Sequence, residues 1–319
     1  MACRKEAAVD VDHEDVEENL TAHYEVETFE YCGGLVDSVS VLSATCTVGS
    51  NIVDDDRDRT GLMVWPATHL LCQHLSSGLL ISSRNDDENA SKGDNNNNKD
   101  DQVVVLELGC GCGLAGVTAT LAKSTSLKLW VSTDMDEKAL ELCHKNYELN
   151  GVDPSKWQTR LLEWGNPDQV VKIQQELAPD GFAAIVAADI VYPATCGQVL
   201  QSLLERTVDP LLAPDGSFWL SFATRDGFQT PQRLVEAASR AGFRIRTLPP
   251  LSEEVRSRLP PLLDAQLLVL ERSANAAREN EQLGGVQCNV FPGLKEWLRR
   301  RQEDSSSDEE EWDAPYLSD

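Results

Sequence analysis

The chain has 319 residues, 41% of them hydrophobic, enough to bury one large core or two small ones. Its 53 Asp and Glu against 28 Lys and Arg give a net charge of -25, which repels a nucleic-acid backbone and favours basic or neutral partners. The first 20 residues lack the apolar stretch of a secretory signal, no run reaches the ~18 apolar residues of a membrane span, and nine cysteines, an odd number scattered through apolar segments, fit reduced thiols. These features predict a soluble cytoplasmic protein, with the nucleus also open.

Residues 1–20 are acidic and weakly apolar, the composition of a disordered segment. "HYEVETFEY" and "DSVSVLSATCTVG" alternate apolar and polar side chains about a "CGG" turn, which predicts a β-hairpin near residues 23–49 within an extension over 21–60. "WPATHLLCQHLSSGLL" has Pro66 where a helix accepts proline and apolar residues at helical spacing. The polar run over 85–101 reads as a loop insertion.

From residue 103, runs with strand and helix character alternate: "VVVLELG", "LAGVTATLAK", "LKLWVSTD", "DEKALELCHKNYELNG", "QTRLLEW", "PDQVVKIQQELA", "FAAIVAADIVY". "TCGQVLQSLLERTVDPLL", "SFWLSFAT" and "TPQRLVEAASRAG" follow, then "FRIRTLPP" and "AQLLVLERS" as a closing pair. Such alternation predicts an α/β fold: a doubly wound, Rossmann-like sheet of seven strands, mostly parallel with a closing antiparallel strand, preceded by the hairpin. The main domain is expected over 61–275, a C-terminal extension over 276–301, and an acidic disordered tail over 302–319, where Ser305 to Ser307 lie among carboxylates that suit a kinase.

"LELGCGCGLAG" contains Gly111-x-Gly113-x-x-Gly116, by itself a weak dinucleotide fingerprint. Glu107, two residues before Gly109, is poorly matched to a pyrophosphate and well matched to a cation, so the turn suits the ammonium and sulfonium of S-adenosylmethionine better than NAD. Asp134 ends the next strand about 25 residues beyond Gly109, where a carboxylate meets ribose hydroxyls. Asp136 precedes "EKALELC" and reads as a helix N-cap.

Together "MVWPATHLL", "LELGCGCGLAG", "VSTDMD" and "AADIVY" resemble the class I, seven-strand S-adenosylmethionine-dependent methyltransferases, and more narrowly the family 16 protein-lysine methyltransferases, over about residues 60–272. The resemblance implies that Gly109, Cys110 and Gly111, with Gly113 in the same turn, cradle the methionine part, that Asp134 holds ribose, and that Trp65 packs at the cofactor. It also implies that Trp164 of "LLEWG" lies near adenine and that Ala188 contacts the cofactor.

Asp189 and Tyr192 are the expected catalytic residues, since they follow the fourth strand of the sheet, and "DIVY" meets the Asp-x-x-Tyr pattern implied by the resemblance. The Pro-Pro of base-methylating relatives is absent, which favours a protein acceptor; histidine and small-molecule acceptors remain open. Asp189 would orient a lysine ammonium and stabilise charge developing on nitrogen, and Tyr192 would line the channel with a ring face. The plainer role for Asp189 is a cap on the helix that starts at "PATCGQVL". An NAD-dependent oxidoreductase and a non-catalytic cofactor-binding module are the rival classes. No metal site is expected: Cys110 and Cys112 are too close in sequence for the usual zinc pair, Cys143 and His144 point to different helix faces, and His69 and His74 read as structural.

Overall fold

The computed structural model describes residues 24–31, 35–36, 38–44, 60–78, 102–122, 126–224, 229–262 and 264–280. The "CGG" turn, the 85–101 insertion, residues 1–20 and the acidic tail lie outside the described residues. Among those described, no helix is long and apolar enough to cross a membrane.

The expected hairpin strands are β1 (Tyr24–Phe29) and β2 (Val39–Ala44), paired antiparallel from Tyr24 opposite Ala44 to Phe29 opposite Val39. Period-two alternation buries Val39 and Val41 and leaves the intervening residues half exposed. The main sheet comprises β3 (Val103–Leu108), β4 (Leu127–Asp134), β5 (Trp157–Leu161), β6 (Phe182–Ala188), β7 (Leu212–Ala223), β8 (Phe243–Thr247) and β9 (Ala265–Arg272). Its spatial order is β5-β4-β3-β6-β7-β9-β8. The pairs from β5 through β7 are parallel, and β9 is antiparallel to both β7 and β8. The closing pair is therefore reversed relative to chain order, with the last strand inserted inside the edge.

Strand alternation divides the interior into two cores. On one face Val105, Val186, Trp219 and Val269 pack with α1 (Pro66–Ser76), α2 (Leu114–Leu121) and α3 (Glu137–Leu149). On the other, Leu106, Leu108, Ile185, Phe218 and Leu220 meet α4 (Pro167–Leu177), α5 (Gln198–Leu203) and α6 (Gln229–Arg240). Three helices on each face make the fold doubly wound, as the alternation of runs implies.

Two expected elements end differently. The strand run through "DIVY" stops at Ala188 because Asp189 takes a left-handed φ of 56°. The long helix expected after Thr195 breaks into α5, a π-turn over Leu204–Val208 and a short turn over Asp209–Leu211. In that π-turn the Thr207 hydroxyl accepts from the Gly165 amide at 2.7 Å, tying it to the loop that carries Trp164.

Candidate functional site

β3 and β6 are neighbours, and the chain runs from β3 outward to β4 and β5 on one side and from β6 to β7 on the other. The crevice beyond their carboxyl ends is thus the topological switch point, where open α/β sheets bind ligands. Two turns face each other there: the glycine turn after β3 and the Asp189 turn after β6.

Gly109 has φ 63°, and a Cβ on it would lie 2.7 Å from Ile190 Cγ2 and 3.6 Å from Trp164 Cζ2. Gly111 has φ 52°, and the Gly61 carbonyl would sit 2.9 Å from its Cβ. Both positions need glycine for conformation and for space, because other segments close over the bare backbone. The Gly111 amide donates to Asp134 Oδ2 at 3.0 Å, and the Cys110 amide to the Thr133 carbonyl at 2.8 Å, so the end of β4 holds the turn. Gly113, also left-handed, occupies the N-cap of α2, against Cys143 of α3.

Asp134 is half buried, and its other oxygen accepts from the Asp136 amide at 3.1 Å; burial raises its pKa above the usual carboxylate value. The Met135 amide joins those of Gly111 and Asp136 in opposing that rise. Asp136 caps α3 through Lys138 N at 2.9 Å, the role its position in sequence suggests.

Glu107 is 4% exposed, on the face of β3 that looks toward α2 and α3. Its Oε2 accepts from Trp130 Nε1 at 2.9 Å and from Ser132 Oγ at 2.8 Å, and Ser132 Oγ lies 2.9 Å from the Tyr147 hydroxyl. Gly116 makes room for this cluster, since a side chain there would run into the Tyr147 hydroxyl and Trp130 Nε1. Burial pushes the Glu107 pKa up to about 7 against the two donors, which pull it down. The carboxyl lies behind the turn, braced by side chains that the glycine motif does not announce.

Asp189 is buried, and both of its oxygens are engaged: Oδ2 accepts from Ala67 N at 2.8 Å and Oδ1 from Ala223 N at 3.1 Å. Its own amide donates to the Ser221 carbonyl at 2.7 Å. The cap expected on the following helix is therefore made on a different one. Trp65 stands at the N-cap of α1 without a capping side chain, and Pro66 has no N–H, so Ala67 is the first amide left to satisfy. Asp189 satisfies it from 122 residues away, where a carboxylate also suits the helix dipole. Ser221 Oγ completes the clasp on the Ala67 carbonyl at 2.7 Å.

This clasp fixes the segment that leans over the glycine turn. Trp65 donates from Nε1 to the Thr60 carbonyl at 2.8 Å, closing a loop whose Gly61 carbonyl faces Gly111. Trp164 is half buried on the far side of Gly109, and half-buried Ala188 ends β6 opposite Ser221. Tyr192, half buried, enters a 3-10 turn where its amide donates to Thr195 Oγ1 at 3.0 Å. The structure therefore gathers the glycine turn, Asp134, Trp164, the loop of Trp65 and Asp189 about one crevice. Gly61, Ile190, Ser221 and Thr133 join them without any signal in the sequence.

His69 lies apart from this crevice, buried against Tyr31, whose hydroxyl is 3.0 Å from Nδ1, and burial lowers its pKa to about 4. A groove of about 630 Å³ lined by His144, Glu148, Trp157 and Arg160 contains none of the expected site residues.

The family described as lysine methyltransferase matches residues 48–229. An electron transfer flavoprotein beta subunit lysine methyltransferase from Xenopus laevis is 31% identical over 104 residues, which cover 33% of this chain and 36% of that protein. The aligned part thus spans about a third of that relative. Among solved structures, a ribosomal protein L11 methylase from Lactobacillus delbrueckii subsp. bulgaricus is 16% identical, with a TM-score of 0.41 over 76% of this chain and 98% of that one. A methyltransferase complexed with SAH is 10% identical, with a TM-score of 0.49 over 80% of this chain and 57% of that one.

Proposed function

Because this chain belongs to the lysine methyltransferase family, we propose that it transfers the methyl group of S-adenosylmethionine to a lysine side chain of a protein. The observation that carries the reading is the meeting of two left-handed turns at the switch point, one opened by glycines and the other closed by a carboxylate.

The residues fit the cofactor. At Gly109 and Gly111 no side chain stands between the main chain and its neighbours, so a group held beside Trp164 would meet bare backbone. Asp134 offers acceptors for a diol, and Glu107 places a carboxyl of near-neutral pKa behind the turn that meets an ammonium. When bound, the cofactor supplies an electrophilic methyl on a cationic sulfonium. Gly109, Cys110, Gly111, Gly113, Ala188, Trp65 and Trp164 would hold it.

In-line displacement needs a neutral amine held in line and water kept out more than it needs a strong base. Asp189 contributes by position: its two backbone bonds fix the start of α1 and the end of β7 on either side of the acceptor path, and its charge favours the cation that forms on nitrogen. Tyr192 presents its ring beside that path as a contact for the ammonium. The net charge of -25 favours a basic protein substrate over nucleic acid. Residues 61–275 form the methyltransferase domain, with 21–60 as an extension.

The test is labelled S-adenosylmethionine with the proteome of a strain lacking this protein, followed by mass spectrometry of the labelled band. A methylated lysine is the expected result; label on histidine or on a small molecule overturns the acceptor, and no transfer by a chain that binds the cofactor overturns catalysis.

A further inference from the structure

One face of α3 stands behind the later part of the glycine turn, where Asn146 meets Cys112, Cys143 meets Gly113 and Tyr147 meets Gly116, at helical spacing. Asn146 is fully buried and joins three elements. Its Oδ1 accepts from Leu42 N at 2.7 Å, and its Nδ2 donates to the Leu42 carbonyl at 3.0 Å and to the Cys112 carbonyl at 2.8 Å. One turn later Asn150 repeats the strand contact, with Oδ1 accepting from Ser40 N at 3.0 Å and Nδ2 donating to the Ser40 carbonyl at 2.5 Å.

The spacing explains how a helix can pair with a strand. Residues four apart on a helix rise about 6.0 Å, and residues two apart on a strand about 6.8 Å. Two carboxamides at that interval therefore present donor and acceptor to successive outward-facing backbone groups of β2, as a neighbouring strand would. The pairing reads backbone only, so it holds the hairpin without regard to its side chains. Asn150 makes no bond to the glycine turn and spends its second donor on the Asn146 carbonyl at 2.7 Å.

We propose that Asn146 is a positioning residue that couples the N-terminal hairpin to the cofactor turn: docking of β2 fixes the carboxamide whose remaining donor holds the Cys112 carbonyl between Gly111 and Gly113. The hairpin thereby acts on cofactor affinity without touching the cofactor. This rests on the reading of the glycine turn as the S-adenosylmethionine site.

Coupling is reciprocal, so the unmodified full chain can report it. Saturating S-adenosylhomocysteine should slow amide hydrogen exchange at Ser40 and Leu42 several-fold, followed by NMR, while β8 amides change little. Asn146→Ala should weaken S-adenosylhomocysteine binding by about fivefold or more, the scale of one buried hydrogen bond, with kcat at saturating cofactor within about twofold. Asn150→Ala, which loosens the hairpin and keeps the Cys112 bond, should speed hairpin exchange as much and weaken affinity by less than Asn146→Ala does. Unchanged affinity in a folded Asn146→Ala overturns the coupling, and so does affinity in Asn150→Ala equal to that of the unmodified chain despite faster hairpin exchange. If Asn146→Ala does not fold, the exchange experiment on the unmodified chain decides: normal binding with unchanged protection at Ser40 and Leu42 overturns the coupling alone, whereas no binding at all overturns the cofactor site with it.

Discussion

The turns after β3 and β6 lie side by side and share a left-handed backbone, φ 63° at Gly109 and 56° at Asp189, yet they solve opposite problems. Gly109 keeps space clear: its missing side chain lets Ile190 and Trp164 approach bare backbone. Asp189 fills space: among residues with a side chain, Asp is one of those that adopt this conformation most readily, and its carboxylate is used there to satisfy two amides from distant elements. On the proposed reading the first turn would meet a ligand, while the second holds the elements around it. Substitutions at the two should therefore separate in what they damage.

The largest effect is expected at the glycine turn. Gly109→Arg drives a long side chain against Ile190 and Trp164 at a strained φ, and calorimetry should show S-adenosylmethionine affinity falling by about 10²-fold or more. Binding equal to that of the unmodified chain by a folded variant would move the site elsewhere. Next comes Asp189→Ala, which should lower kcat by about 10²-fold, the scale for a preorganised electrostatic group. Two buried amides lose their acceptor as well, so the variant should lose about 2–4 kcal/mol in denaturant unfolding. Cofactor affinity should change much less than kcat; a larger fall in affinity would make the two turns one functional unit. Asp189→Asn keeps one acceptor oxygen and should fall between.

A smaller effect separates the turns by pH. Glu107, behind the glycine turn, has a pKa of about 7 in the fold against 4.5 as its ordinary value. A raised carboxyl pKa means that the folded state holds a proton the unfolded state releases, so its stabilising contribution is complete below about pH 4.5 and is lost as pH rises through about 7. Cofactor binding runs the other way, because the ionised carboxylate favours the cation. Affinity should rise between pH 6 and 8 by up to about tenfold, and Glu107→Gln should flatten both profiles while Asp189→Asn leaves the affinity profile in place. A wild-type profile that is flat over this range would sink the electrostatic role of Glu107. Least of all should come from excising 85–101, whose composition offers no apolar surface to bury: affinity should stay within about twofold.

Much of this was legible in the sequence because it is local. Strand and helix periods, the glycine spacing, the Asp136 cap and the carboxyl ends of β3 and β6 all depend on residues within a few positions of one another. Element ends were less so. Ala188 closes β6 because Asp189 is held by amides of α1 and β7, and the π-turn at Leu204–Val208 engages Gly165 through Thr207; neither partner is near in sequence. "HKNYELN" offered one faint signal, two asparagines a turn apart on a buried face, and the same device recurs at the far edge, where Asn280 pairs with Ile245 N and the Phe243 carbonyl of β8.

The sequence alone determined the layered α/β plan, the glycine turn and the acid that ends β4, since hydrophobic period and turn chemistry act over short distances. Only the tertiary structure decided that Asp189 caps α1, that Glu107 is braced by Trp130 and Ser132, that β9 enters between β7 and β8, and that Asn146 joins hairpin to turn. In each case a buried polar group, or the free edge of a strand, needs a partner. Which partner reaches it is fixed by packing among residues tens to more than a hundred positions apart.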